Sequence, residues 1–411
     1  MHRFVLAGLV PALFAAAGGA QTPPIVTEAE FLSALDASHP AVAESVEDLS
    51  LARARVVETS TLDNPAVAIV REDPSGPIEQ TDVLVSWQLP RTARRPEVEA
   101  REEAVRAAAA RLSQRLRAVH VAMREVYAEW ALAAAREESL AAQAERVEAL
   151  AEREAARAER GESSGLEAHR LELAAQALRA RAALAAAARE RRRAEAARWV
   201  PTLPDEARPA VPDLPLPPDV DADHPLVRAA EADLAAARLE SEAAGRFLAS
   251  PELSVGWQRQ ESGAESLDGP LLGVVWSVPL FDRNQAEKAA ADARVAGAQA
   301  RLELTRREVD ASRAAARASF ERLARSLDEV RSALADSERM LDGAEAAFRL
   351  GEASLTDLLD THRSVTEGAL AVLDLREAAL AAHRELERLA ASDDSSDPLK
   401  PFEPLELETL P

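Results

Sequence analysis

Two hydrophobic periods alternate along this chain and occupy different stretches of it. From Asp82 to Leu89 the pattern has a period of two. Val83, Val85, Trp87 and Leu89 fall on one side, and Asp82, Leu84, Ser86 and Gln88 on the other. That period places successive side chains on opposite faces of a strand. It returns at Leu253, Val255 and Trp257 against Glu252, Ser254 and Gln258. It appears again at Leu272, Val274, Trp276, Val278 and Leu280. With Val67 and Ile69 in Pro65–Arg71, the chain has four short amphipathic strands.

Nearly everything else follows a helical period. Val105, Ala109, Leu112, Leu116, Val119, Met123, Val126 and Trp130 alternate spacings of three and four. That is the seam of a left-handed coiled coil. A second seam runs through Phe320, Leu323, Leu327, Val330, Leu334, Ser337, Leu341, Ala344 and Phe348. The first predicts one long helix from about 92 to 160 and the second another over 285–350. At ~1.5 Å per residue the first spans on the order of 100 Å. Gly161-Glu-Ser-Ser-Gly165 and Gly351-Glu352 break the pattern and predict turns, each followed by a returning helix, 166–199 and 353–391. Thr27 and Glu30 read as a capping box ahead of Phe31, opening a helix over 27–61 that His39-Pro40 interrupts.

These elements repeat in order. His224-Pro225 matches His39-Pro40, Pro251 matches Pro65, Trp276 matches Trp87 and Gly351-Glu352 matches Gly161-Glu162, at offsets of 185 to 190 residues. The expected fold is mainly α with a small β part, built by internal duplication. The divisions read as a signal peptide at 1–20, a helical segment at 21–63 and a strand pair at 64–91. A helical hairpin follows at 92–200, then a proline-rich segment at 201–223 and a helix at 224–249. The second strand pair is 250–283, the second hairpin 284–391, and an acidic, proline-containing tail 392–411.

Composition narrows the class. Only 3% of the 411 residues are aromatic, and the net charge of −22 argues against nucleic acid, which needs basic surface. The absence of cysteine excludes disulfides, thiolate metal sites and a lipid anchor on an N-terminal cysteine. Phe4–Ala17 is an apolar run after His2 and Arg3 and before Gly18-Gly-Ala20, a secretory pattern too short to span a bilayer. The seven histidines are scattered, and no metal cluster, phosphate loop or nucleophile constellation stands out. No cofactor, no metal and no enzymatic activity are expected.

Four amphipathic strands cannot close a barrel alone, and open edges are not tolerated in lipid. Three copies supply twelve strands, enough to enclose a lumen where eight would be nearly filled. The lipid-facing set is then Val83, Val85, Trp87, Leu253, Val255, Trp257, Leu272, Val274 and Trp276. The other reading is a soluble β subdomain with one buried face.

At this point the chain resembles a known family, the TolC-like outer-membrane factors. The likeness rests on the duplicated layout, on Asn64-Pro65 and Ser250-Pro251 before strands, on Trp276-Ser-Val-Pro-Leu-Phe-Asp-Arg283, and on Phe348-Arg-Leu-Gly-Glu-Ala-Ser-Leu-Thr-Asp-Leu-Leu-Asp360. It implies a homotrimeric outer-membrane duct reaching into the periplasm, serving an adaptor and an inner-membrane pump in efflux of small substrates such as metal cations or drugs. It further implies a gate ring at Asp357 and Asp360. The ordinary alternative for these two is capping of a helix start by acids in its first turn. The resemblance also makes the turns Arg160, Gly161, Glu162, Ser163, Ser164 and Arg349, Gly351, Glu352, Ser354 adaptor-docking tips. The family's latch arginine, two residues past the glycine, is replaced by Ala353, leaving Arg349 or Arg160 as substitutes. Rival functions are a type I protein-secretion duct and a soluble periplasmic coiled-coil adaptor.

Overall fold

The structure is a computed structural model and describes residues 24–34, 39–72, 78–90, 92–216, 224–246, 250–262, 265–278 and 280–390. The expected signal peptide, the acidic tail, the Asp73–Pro77 turn and Pro279 lie outside the described residues.

A two-residue strand β1 (Ile25–Val26) leads into α1 (Glu28–Leu32), which opens on the Thr27–Glu30 capping box. Next come α2 (Pro40–Ser60), β2 (Ala66–Glu72), β3 (Ile78–Gln88), α3 (Arg94–Glu159) and α4 (Gly165–Trp199). The second half runs β4 (Arg208–Pro209), α5 (Pro225–Gly245), β5 (Glu252–Ser262), β6 (Glu265–Val275), α6 (Gln285–Ala333), α7 (Ser337–Leu350) and α8 (Leu355–Leu389). Among the described residues no helix is long and apolar enough to cross a membrane.

The histidine-proline pairs start helices rather than kink them. His39 Nδ1 accepts from the Ala41 amide at 3.3 Å and His224 Nδ1 from the Leu226 amide at 3.2 Å, with proline following as the first helical residue. An imidazole acceptor can satisfy an orphan amide much as Ser or Asn does. Because His224 Nδ1 accepts, its Nε2 carries the proton and donates to the Arg388 carbonyl at 3.2 Å. Burial holds His224 below the ordinary histidine value, in keeping with this neutral form.

The second long helix is two helices. α6 ends at Ala333, and Leu334–Asp336 form a turn before α7. The seam continues through this point, so apolar spacing does not reveal the break. Ser332, Asp336 and Ser337 surround it, and such side chains compete with the backbone ladder inside helices. Opposite the turn lies Gly368 of α8, where an added Cβ would stand 2.7 Å from Leu334 Cδ2.

β2, β3, β5 and β6 form one antiparallel sheet in that order, with β2 and β6 at its edges. Register aligns the apolar positions into cross-strand rows: Trp87–Leu253–Val274, Val67–Val85–Val255–Leu272 and Ile69–Val83–Trp257–Pro270. The next row on that face is Arg71–Thr81–Arg259–Asp268. Trp276 is a correction to the expected strand set. β6 stops at Val275, opposite Glu252, and the residue beyond on the partner strand is Pro251, which has no amide to donate. On the opposite face, a Cβ at Gly256 would lie 2.2 Å from the Val83 carbonyl oxygen, and one at Gly273 2.4 Å from Ser254 Oγ. Glycine on that side lets the strands bend tightly together. None of the four strands packs extensively along a helix.

α3 is the spine and packs on α2, α4, α5 and α8. Its seam is wider than the sequence suggested: Ala109 is exposed, while Ala107, Val121, Tyr127, Ala128 and Ala131 are buried beside Leu116, Val119, Met123 and Trp130. Small alanines allow neighbours on several sides. The Tyr127 hydroxyl lies 2.8 Å from the Val26 carbonyl and 2.7 Å from the Ala210 carbonyl, bridging the chain around β1 and β4. Burial pushes its pKa up to about 12.

Gly256→Val forces a side chain into the Val83 carbonyl. It is expected to abolish recovery of folded protein, measured as loss of the β signature in circular dichroism. Tyr127→Phe leaves Ala210 without its hydroxyl donor and should cost about 1–2 kcal/mol, read as a lower thermal midpoint.

Candidate functional site at the helical tips

Two helix-to-helix turns end the hairpins α3–α4 and α7–α8, and they share one geometry. Gly161 and Gly351 both take φ of 73°, the left-handed region that glycine enters without strain. At each, the residue after the glycine reaches back five positions: Glu162 N to Arg157 O at 2.9 Å, and Glu352 N to Ala347 O at 2.8 Å. The glycine amide bonds three positions back, to Ala158 O and Phe348 O, both at 3.0 Å. These paired bonds satisfy carbonyls that a helix end otherwise leaves free.

The starts of the returning helices differ. Ser164 caps α4 by accepting from Leu166 N at 3.2 Å. Ser354 and Asp357 form a reciprocal box at α8. Asp357 N donates to Ser354 Oγ at 3.2 Å, while Ser354 N and Oγ donate to Asp357 Oδ2 at 3.1 and 2.6 Å. Bonds from the Ser354 hydroxyl and then its amide hold the Asp357 carboxyl below the ordinary aspartate value. Thr356 takes no part in this box. Asp360 is exposed one turn on and lies 3.7 Å from Arg363.

The latch substitutes are engaged locally. Arg160 pairs with Glu162 at 3.0 Å, and Arg349 Nε donates to the Glu345 carbonyl at 3.3 Å on its own helix. Ser163 Oγ lies 3.5 Å from the Glu154 carbonyl. The two hairpins share a core in which Val147, Leu150 and Ala151 of α3 and Leu171 and Ala175 of α4 meet Leu355 and Leu358 of α8. Above that core, Arg146 of α3 reaches α7, bonding Glu345 Oε1 through Nε at 2.5 Å and pairing with Asp342. Beside it His362 of α8 is 3% exposed.

Sequence reasoning missed Arg146, Asp342 and Glu345, because a pair joining helices about two hundred residues apart leaves no local spacing. His362 did leave a signal: Leu355, Leu358, His362 and Val365 follow core spacing, and the histidine fills a seam position. No group of three or more His, Cys, Asp or Glu able to hold a metal occurs among the described residues.

Comparison with known proteins settles the architecture. Residues 216–392 match the family model "Outer membrane efflux protein". Most of the chain superposes on solved outer-membrane proteins. CusC, studied for channel formation, gives a TM-score of 0.73 at 16% identity, over 93% of this chain and 96% of that one. The outer membrane protein VceC of Vibrio cholerae gives 0.70 at 15%, over 88% and 95%. The open-state MtrE channel of Neisseria gonorrhoeae gives 0.64 at 18%, over 88% and 88%. The fold is that of the TolC-like outer-membrane factors. A sequence search of the curated proteins finds no match. The family match lies in the second half, where the α7–α8 tip is found, and the α3–α4 tip repeats its backbone geometry.

Ser354→Ala removes the cap of α8 and should cost about 1 kcal/mol. The Asp357 carboxyl should then titrate closer to its ordinary value, as followed by NMR. The sign follows from linkage. Folding lowers the Asp357 pKa, so its contribution is complete above about pH 4 and fades as pH falls through the lower folded value.

Proposed function

We propose that three copies of this chain form an outer-membrane efflux duct, with the sheet as one third of a 12-stranded barrel and the helices as a periplasmic tunnel. The observation that carries this is the sheet. It has two unpaired edges and an unbroken apolar face with Val67 68%, Ile69 72%, Leu272 74% and Val274 69% exposed. In hydrocarbon every backbone group needs a partner within the protein, which an open four-stranded sheet lacks. Tryptophans stand at both margins of the face. Trp87 and Trp276 are at one end, and Trp257 lies in the last apolar row before the Arg71–Asp268 row at the other. Such placement matches the aromatic girdles of membrane barrels. The Trp87 indole N–H donates to the Asp63 carbonyl at 3.1 Å, a polar tether for a ring with an apolar body.

Efflux of small solutes is favoured over protein secretion by the family match to residues 216–392. An adaptor and an inner-membrane pump would supply the energy, with the Gly161 and Gly351 turns as docking points. The net charge of −22 suits cationic cargo such as metal ions or cationic drugs. On a threefold axis Asp357 and Asp360 would place six carboxylates at the inner aperture, attracting cations and repelling one another.

Reconstituted in planar bilayers, the protein should conduct as a heat-modifiable trimer. A monomer that stays soluble without detergent would overturn the reading. Replacing both gate candidates by Asp357→Asn and Asp360→Asn keeps side-chain oxygens for the α8 cap and removes the charge. Cation selectivity should drop and single-channel conductance rise; unchanged values would remove both residues from the aperture.

A further inference from the structure

We propose that His362 is a proton-operated release on the clasp that ties the α7–α8 hairpin to α3. The clasp is Arg146, the α3 side chain that bonds Glu345 and Asp342 of α7 above the shared tip core. His362 lies behind it on α8. Its ring is 3% exposed, neither ring nitrogen has a hydrogen-bond partner, and Nε2 is 3.5 Å from Glu345 Oε1, the same oxygen that takes the Arg146 bond.

The groups around this ring set the direction. From α7 come Glu345 and Asp342, with Arg349 turned to the Glu345 carbonyl. From α3 comes Arg146. On α8 itself, Thr366 Oγ1 donates to the His362 carbonyl at 2.8 Å, while Asp360 and Arg363 face solvent as an exposed pair and Glu367 is also exposed. A neutral imidazole fits this buried slot without disturbing the clasp. An imidazolium does not, because a buried charge needs a counter-ion or water. The nearest anion is Glu345, already bonded to Arg146 at 2.5 Å. A protonated His362 competes with the guanidinium for Glu345 Oε1 or opens the α7–α8 packing to admit water. Both loosen the hold of α3 on the hairpin. Burial is the largest influence and lowers the histidine pKa, with Glu345 opposing and Arg146 reinforcing it. The clasp is therefore closed at neutral pH and is weakened as pH falls below the unfolded-state value near 6.5.

Two features above the clasp give the loosened hairpin a place to bend. The Leu334–Asp336 turn interrupts the α6–α7 column, and Gly368 faces it on α8. A cavity of about 410 Å³ lies at this level, lined by Ala135 and Ser139 of α3, Leu334 and Ser337 at the turn, and Val365 and Ala369 of α8.

The inference deepens the duct reading, but its test reads the clasp and needs no membrane. Hydrogen exchange of the α7 amides is followed in detergent-solubilised full-length protein at pH 7.5 and 5.5, corrected for intrinsic rates. Wild-type protection should fall severalfold on acidification, the direction set by a histidine whose burial disfavours its charged form. His362→Gln, neutral at both pH values, should be flat. Arg146→Gln should be weakly protected at both. Protection that rises or stays level in the wild type on acidification overturns the proposal, as does a fall retained in His362→Gln. Should that variant not fold, the His362 ring titrated by NMR in the wild type decides: a midpoint below the ordinary value supports the release and one above it sinks it. A chain that conducts in bilayers yet fails this test leaves the duct standing without the switch.

Discussion

Backbone hydrogen bonding at the edges of one small sheet constrains the rest of this molecule. Among the described residues, β2 and β6 are edge strands, each with one side of its ladder unpaired. The face they border carries three successive apolar rows, and among the described residues no helix packs extensively along it. In water such a surface would invite uncontrolled pairing. In hydrocarbon it can persist only when the edges meet other edges. Gly256 and Gly273 stand where a Cβ would collide with the neighbouring strand, so that side of the sheet accepts close strand approach.

The helices answer a different constraint. α3 has 66 residues and so reaches on the order of 100 Å, and a column that long is held by its neighbours. Alanine at many contact positions lets α2, α4, α5 and α8 approach closely, while ion pairs such as Arg136 with Asp374 and Glu377 link the outer surfaces of α3 and α8. Exposed pairs of this kind contribute little each. Their use is registration, since a helix seam made largely of alanine tolerates sliding that a charged pair resists. Where α8 ends, three cations or donors gather on its last carbonyls: His224 on Arg388, Arg313 on Leu389 and Arg117 on Ala390. Positive groups at a helix C-terminus are electrostatically favoured; here the two arginines come from α3 and α6, and the neutral His224 at the start of α5 adds an N–H donor.

Much of this was legible in the linear chain, for reasons that can be named. Period two survives in a strand whose faces meet different media, so Val83–Trp87 and Leu253–Trp257 announced themselves. The strands run further than the alternation did, because Gln80–Thr81 and Gln258–Glu261 are polar on both faces and the ladder continues without a hydrophobic signal. Gly161 and Gly351 were readable because a left-handed residue ends a helix sharply. Tyr127 was not, since a hydroxyl that joins two distant carbonyls has no local partner in sequence. The Leu334–Asp336 turn was hidden by a seam that continues through it. Trp276 was assigned to a strand because alternation outlasts pairing where proline removes the partner's donor.

At the tip, capping and gating need not compete for Asp357. A carboxylate held by both the amide and the hydroxyl of Ser354 has a fixed position relative to the α8 backbone. Its lowered pKa keeps it charged across the neutral range. In a threefold assembly, the distance of such a charge from the axis is set by where α8 begins rather than by a mobile side chain. Ser164 makes no comparable box at α4, where Glu167 holds the equivalent third position without bonding back. The α8 start is thus the better defined of the two, and the hairpin that carries it is also the one tied to α3 through Arg146. A shift of this carboxylate relative to α3 would therefore involve the hairpin as a whole, and the Arg146 contacts are among the polar bonds that tie it to α3.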